Sequence, residues 1–200
     1  GATTPDLGSM AIVFNVNKLT VMPQMRAETI TVISAGDVTF NNAVTATMGD
    51  VNIQSGALTA SGALNAATDI DIVATGDVAL NGDASAERID IQSPSDIAVA
   101  ALTSTVGGLN IQSSTLTASG ALNAATDIDI VATGNVALSG NATAETIDIT
   151  TTGDVAVAAL TSTVGGLNIQ SDGGMTASGA LAAETDIDVT AINGFAADGA

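Results

Sequence analysis

The stretch Ser61-Gly-Ala-Leu-Asn-Ala-Ala-Thr-Asp-Ile-Asp-Ile-Val-Ala-Thr-Gly76 returns residue for residue as Ser119 to Gly134, 58 positions later. Outward from it the likeness continues: Gly107 to Ser113 recurs as Gly165 to Ser171, where a third copy begins. Self-similarity at a fixed period decides an architecture before any residue propensity does. Each 58-residue block divides into three weaker units of 19 to 20 residues, seen at 68–80, 88–99 and 108–118, each a short alternating segment, a turn and a second segment. The elementary period is therefore one coil, and 58 residues are three coils.

Aligning the units gives columns. One apolar column runs Ile30, Val51, Ile70, Ile89, Leu109, Ile128, Ile147, Leu167, Ile187; another, two residues on, runs Val32, Ile53, Ile72, Ile91, Ile111, Ile130, Ile149, Ile169, Val189. A spacing of two puts both on one face of a strand. A third column, Val38, Leu58, Val78, Ile97, Leu116, Val136, Val155, Met175, Phe195, follows a turn marked by Gly36, Gly76, Gly134 or Gly153. A third strand is expected around Leu64, Ala84, Thr103, Leu122, Ala142 and Thr161. A helical reading fails because no window repeats apolar residues at i, i+3, i+4 and i+7 over three turns. Leucine-rich repeats need a different Leu and Asn spacing.

The expected fold is thus all-β: a parallel right-handed β-solenoid of about nine coils with a triangular cross-section, spanning residues 27–200. At roughly 4.8 Å per coil the rod is about 40–45 Å long. Residues 1–26 fall outside the coil pattern, yet the stretch from Ala11 to Val21 reads as a strand. It is expected to be a terminal cap or a segment that pairs with a neighbouring subunit through Ile12, Phe14, Val16, Leu19 and Val21. At the other end Phe195 precedes no charged or helical cap, so the same expectation makes it an assembly residue. Copies of the chain stacking head to tail are the expected partner, because a bare strand edge is an assembly template.

Composition narrows the function classes. Charged residues are only 12% and aromatics 2% against 46% hydrophobic residues, so the core is a thin, regular one of Ile, Val, Leu and Ala. Three basic residues, Lys18, Arg26 and Arg88, face 21 acidic ones, for a formal net charge of -18. Nucleic-acid binding is not expected on charge, since phosphate contacts need clustered Lys and Arg. No apolar run approaches the roughly 20 residues that span a bilayer, so no membrane insertion is expected. The chain has no cysteine and begins Gly-Ala-Thr-Thr-Pro, which reads as the processed terminus of a secreted chain.

The 19–20-residue coil, the Gly-Asp-Val and Gly-Leu-Asn-Ile openings and the Ala-, Thr- and Ser-rich filler resemble the haemagglutinin-type repeats of filamentous haemagglutinin-like proteins, the large exoproteins of bacterial two-partner secretion. The resemblance covers about residues 27–190. It implies a bacterial origin, export to the cell surface and a role in adhesion or extracellular fibres, with a host or neighbouring cell surface as a further partner. Members of that family are long chains with a distinct secretion domain, which these residues do not contain. The chain is therefore expected to be a fibre subunit or, alternatively, a rigid segment of a large adhesin.

No enzyme is expected. Parallel β-helices do carry lyases, but such sites need clustered Lys, Arg or His, or paired acids in a groove, and the chain has no histidine and no insertion longer than a residue between coils. The polar column between the two apolar ones, Thr31, Asn52, Asp71, Asp90, Asn110, Asp129, Asp148, Asn168, Asp188, is the feature closest to a site. Stacked carboxylates about 5 Å apart repel unless a proton or cation lies between them. Asp71 with Asp90 and Asp129 with Asp148 are the candidate pairs, and calcium, a hard cation that wants several oxygens, would suit them. Against this stands a solvated acidic face that only blocks lateral aggregation. No other cofactor is expected, and the Gly-Gly pairs sit at turns with no helix to make a phosphate loop.

Overall fold

The computed structural model describes residues 11–197, with side chains from residue 17 onward, and over that range it contains strands and no helix. The strands form three parallel sheets of ten, ten and nine members among the described residues, each strand pairing with the equivalent strand one coil away. Over the described residues the molecule is a β-solenoid of nine complete three-strand coils plus two strands of a tenth.

The columns read from sequence are the rungs of these sheets. In the first sheet Ile70 pairs with Val51 and Ile89, and Ile72 with Ile53 and Ile91. In the second sheet Val78 pairs with Leu58 and Ile97. Inward residues are buried and those between them are not, so the strands Asp69–Ala74 and Val78–Leu80 alternate strictly.

The third sheet differs from the expected column in two coils. The inward residues there are Leu102 and Leu160, and Thr103 and Thr161 lie on the outer side, paired with Ser85 and Thr143. The cause is a shorter corner. Leu80 reaches Ala84 through three residues, Asn81, Gly82 and Asp83, whereas Val99 reaches Leu102 through Ala100 and Ala101 only, and Val157 reaches Leu160 through Ala158 and Ala159. A slip of one residue exchanges the two faces of a strand.

The stack also begins earlier than the repeat pattern suggests. Ala11–Val16 pairs with Thr29–Ser34, Leu19–Val21 with Val38–Phe40, and Met25–Ala27 with Val44–Ala46. These residues form a first coil in register with the rest. Its corners read Asn17-Lys18 and Met22-Pro23-Gln24, unlike the later Gly-Asp and Ser-Gly-Ala types, which conceals it from an alignment of the repeats.

The core is a single continuous column of buried Ile, Val, Leu and Ala, with Phe40 the one buried aromatic among the described residues. Across the corner between second and third sheets, large and small residues trade places: Ala60 with Leu64, Leu80 with Ala84, Ala118 with Leu122, Leu138 with Ala142. These four coils thereby keep a similar volume, as close packing demands. Corner glycines allow coils to stack tightly. A Cβ on Gly82 would lie 2.4 Å from the carbonyl carbon of Gly62. Several buried hydroxyls at the other corners bond along the axis: Ser93 Oγ donates to the Gly76 carbonyl at 2.7 Å, and Ser104 Oγ to that of Glu87 at 2.6 Å, whereas those of Ser55 and Ser113 have no partner.

Candidate functional site: the acidic ladder and the open last coil

The outer face of the first sheet carries the expected polar column, in unbroken register. Asp71 pairs with Asn52 and Asp90, Asn110 with Asp90 and Asp129, and Asp148 with Asp129 and Asn168. The structure thus brings both predicted pairs, Asp71 with Asp90 and Asp129 with Asp148, onto adjacent rungs.

The two pairs have different surroundings. Arg88 reaches Asp69 at 3.1 Å and Asp71 at 3.3 Å, one guanidinium shared between two carboxylates on the neighbouring coil. The equivalent position 58 residues on is Thr146, paired with Asp127, so the second pair has no such cation. Amides serve part of the ladder instead: Asn168 Nδ2 donates to Asp148 at 3.0 Å, and Gln92 Nε2 to Asp90 at 3.2 Å. Burial raises the pKa of Asp71; Arg88 pulls it back down, and Asp69, Asp90 and Asp50 push it up. Burial also raises Asp129, with Asp148 and Asp127 adding to the effect and no cation opposing it. Among the described residues no group of three or more His, Cys, Asp or Glu side chains is arranged to hold a metal ion. Calcium takes six to eight oxygens, and the ladder sets its carboxylates out in a line.

A second acidic column, unremarked in the sequence reading, lies at the corner before the second strand. Asp37 Oδ1 accepts the amide of Ala57, Asp77 Oδ1 that of Asp96, Asn135 Oδ1 that of Asp154, and Asp154 Oδ1 that of Gly174. Each side chain holds the corner of the next coil, so these acids are structural. The signal was the recurrence of Asp or Asn one residue before each Val of the third apolar column. No family model, curated protein or solved structure matches this chain.

The ends of the rod complete the picture. In the last coil, Ile187–Ala191 and Phe195–Ala197 pair on one side only, with Leu167–Ser171 and Met175–Ala177. Ile187 and Phe195 stand in inward columns yet are 48% and 50% exposed, because no described residue covers them. Beside Phe195 lies a hollow of about 570 Å³ bounded by Asp154, Gly174, Met175, Gly194 and Phe195. In the first coil Leu19 and Val21 are partly buried against the core. Ile12, Phe14 and Val16 fall opposite Ile30, Val32 and Ser34 by backbone register; their side chains lie outside the described set. Five of the six expected assembly residues therefore gather on the first coil, and Phe195 sits at the opposite end.

Proposed function

We propose that this chain is an extracellular structural rod, a fibre subunit whose coils continue from one copy into the next. The observation that carries this reading is the uninterrupted in-register stack of like coils in three parallel sheets around one aliphatic core, a form that lengthens by adding coils. A strand edge backed by apolar residues is the usual template for adding another strand. The composition supports a non-catalytic role, since general acid–base chemistry draws on His, Lys and paired acids in a groove, and the conspicuous acids lie flat on an outer face or hold corners. The pattern resemblance to haemagglutinin-type repeats supports secretion and the cell surface as the place where the rod works.

A second reading, a rigid segment of a large secreted adhesin, is favoured by the near-identical 58-residue blocks, since duplication of whole coils is how a solenoid lengthens within one chain. Sedimentation velocity of the 200-residue chain separates the two. A fibre subunit gives a ladder of species that grows with concentration; a stalk segment sediments as one elongated particle of 19.4 kDa throughout.

A further inference from the structure

The corner between the first and second sheets changes length along the rod. Three residues separate the inward residues Ser34 and Val38, or Ala74 and Val78, but only two separate Ser55 from Leu58 and Ser113 from Leu116. At each of these two short corners the surface is hollowed. One hollow, of about 340 Å³, is bordered by Gln54, Ser55, Val73 and Thr75; the other, of about 380 Å³, by Gln112, Ser113, Val131 and Thr133. Residue for residue this is one site present twice, 58 positions apart. Val73 borders both, so the hollows follow one another along a single edge of the rod.

The shortening also displaces a hydrogen bond. At full-length corners the buried hydroxyl donates to a carbonyl of the preceding coil: Ser93 to Gly76, Thr151 to Gly134 and Ser171 to Gly153. At the short corners the backbone takes the equivalent acceptor, the Gly56 amide bonding Gly36 and the Ser114 amide bonding Ser95. Ser55 and Ser113, only 5% and 7% exposed, keep hydroxyls with no partner. An unpaired buried hydroxyl weakens the fold that holds it, so two at equivalent positions of a repeat require a reason.

We propose that the two hollows are saccharide subsites that together hold a neutral, linear glycan lying along the rod. No titratable side chain among the described residues borders either hollow, and the net charge of -18 repels anions. Each hollow offers a carboxamide that both donates and accepts, a threonine hydroxyl and a serine hydroxyl short of a bond, beside an exposed valine. A sugar ring has the matching make-up, hydroxyls around its edge and C–H groups on its faces. A few placed polar groups against apolar walls are the ordinary composition of a ligand site. A ligand hydroxyl, arriving directly or through one water, supplies the serine with its missing partner. The equivalents stand three rungs apart, about 14 Å, so a polymer reaches both where a small molecule reaches one. With no aromatic ring bordering it, each subsite binds weakly alone, and the pair gains through effective concentration. The inference stands whether or not copies of the rod join.

Gln170 supplies an internal control. It continues the outward column of Gln112 and Val131, but its coil has a full corner, Asp172-Gly173-Gly174, and its Ser171 is bonded. The probes are cellohexaose and chitohexaose, with cellobiose and chitobiose as short counterparts. They are titrated into the isotope-labelled chain while side-chain amide resonances are followed by NMR. The inference predicts that Gln54 and Gln112 shift while Gln170 does not, and that a hexasaccharide binds about tenfold tighter than its disaccharide. Ser55→Ala combined with Ser113→Ala places in this column the residue already present at Ala74 and Ala132. The double variant should gain about 2–4 °C in Tm, because two unpaired hydroxyls are gone, and should bind the hexasaccharide about fivefold more weakly. A gain in Tm with binding unchanged overturns the inference, as do shifts at Gln170 equal to those at Gln112 or no binding of either hexasaccharide. The fibre reading survives each of these results.

Discussion

Asp129 illustrates how a single residue can oppose the fold that displays it. It lies between Asn110 and Asp148 on the ladder, and burial, Asp148 and Asp127 all raise its pKa. A carboxyl whose folded-state pKa lies above its unfolded value binds protons more tightly when folded. Its contribution to stability is greatest below the unfolded value and is lost as the pH rises through the folded one. The rod should therefore gain stability from this group on mild acidification. Asp129→Asn should raise Tm at neutral pH by about 1–3 °C, the equivalent of relieving one like-charge cross-strand contact. The advantage should shrink as the pH falls into the carboxylate range, which thermal melts across that range would check. Asp71 should respond less to the same change, because Arg88 already offsets its neighbours.

At the scale of the element, the recurring unit is a three-strand coil whose corners fix its register and, in four of the coils, pair a large inward residue with a small one. Leu80→Ala should cost about 2–5 kcal/mol by opening a cavity in the core. Ala84→Leu alone should overpack the same coil. The double exchange recreates the Ala60 and Leu64 arrangement of the coil below, so it should recover most of the loss; a double-mutant cycle in urea would measure the coupling. What the sequence made legible follows from the same logic. The first and second strands have β-branched columns with constant spacing, so Ile70, Ile72 and Val78 announce their positions. The third strand is built of Ala, Ser, Thr and Leu, and its corner changes length, so alignment by position put Thr103 where Leu102 belongs. The first coil was hidden by its own corner residues. The Asp71–Asp90 and Asp129–Asp148 rungs were readable, but Arg88 was not recognised as the partner of Asp69 and Asp71, because a contact 19 residues away becomes visible only once the register is fixed.

At the scale of the molecule, stability comes from coil stacked on coil, so whole coils should be removable while fractions of a coil should not. Deleting residues 70–127 joins Asp69 to Ile128 and removes one complete 58-residue block. The shortened chain should keep its β circular dichroism and lose three rungs, about 14 Å of length, in small-angle scattering. Deleting residues 70–118 instead leaves the columns out of phase and should give an unfolded or aggregated product. On the proposed fibre reading, a coil of one copy stacks on a coil of another in the register that coils keep within the chain. Negative-stain electron microscopy of the purified 200-residue chain at neutral pH is the most direct test. The account predicts unbranched fibres a few nanometres wide with an axial repeat of about 48 Å, ten rungs per copy. A field of single rods about that length, unchanged as concentration rises, would contradict it.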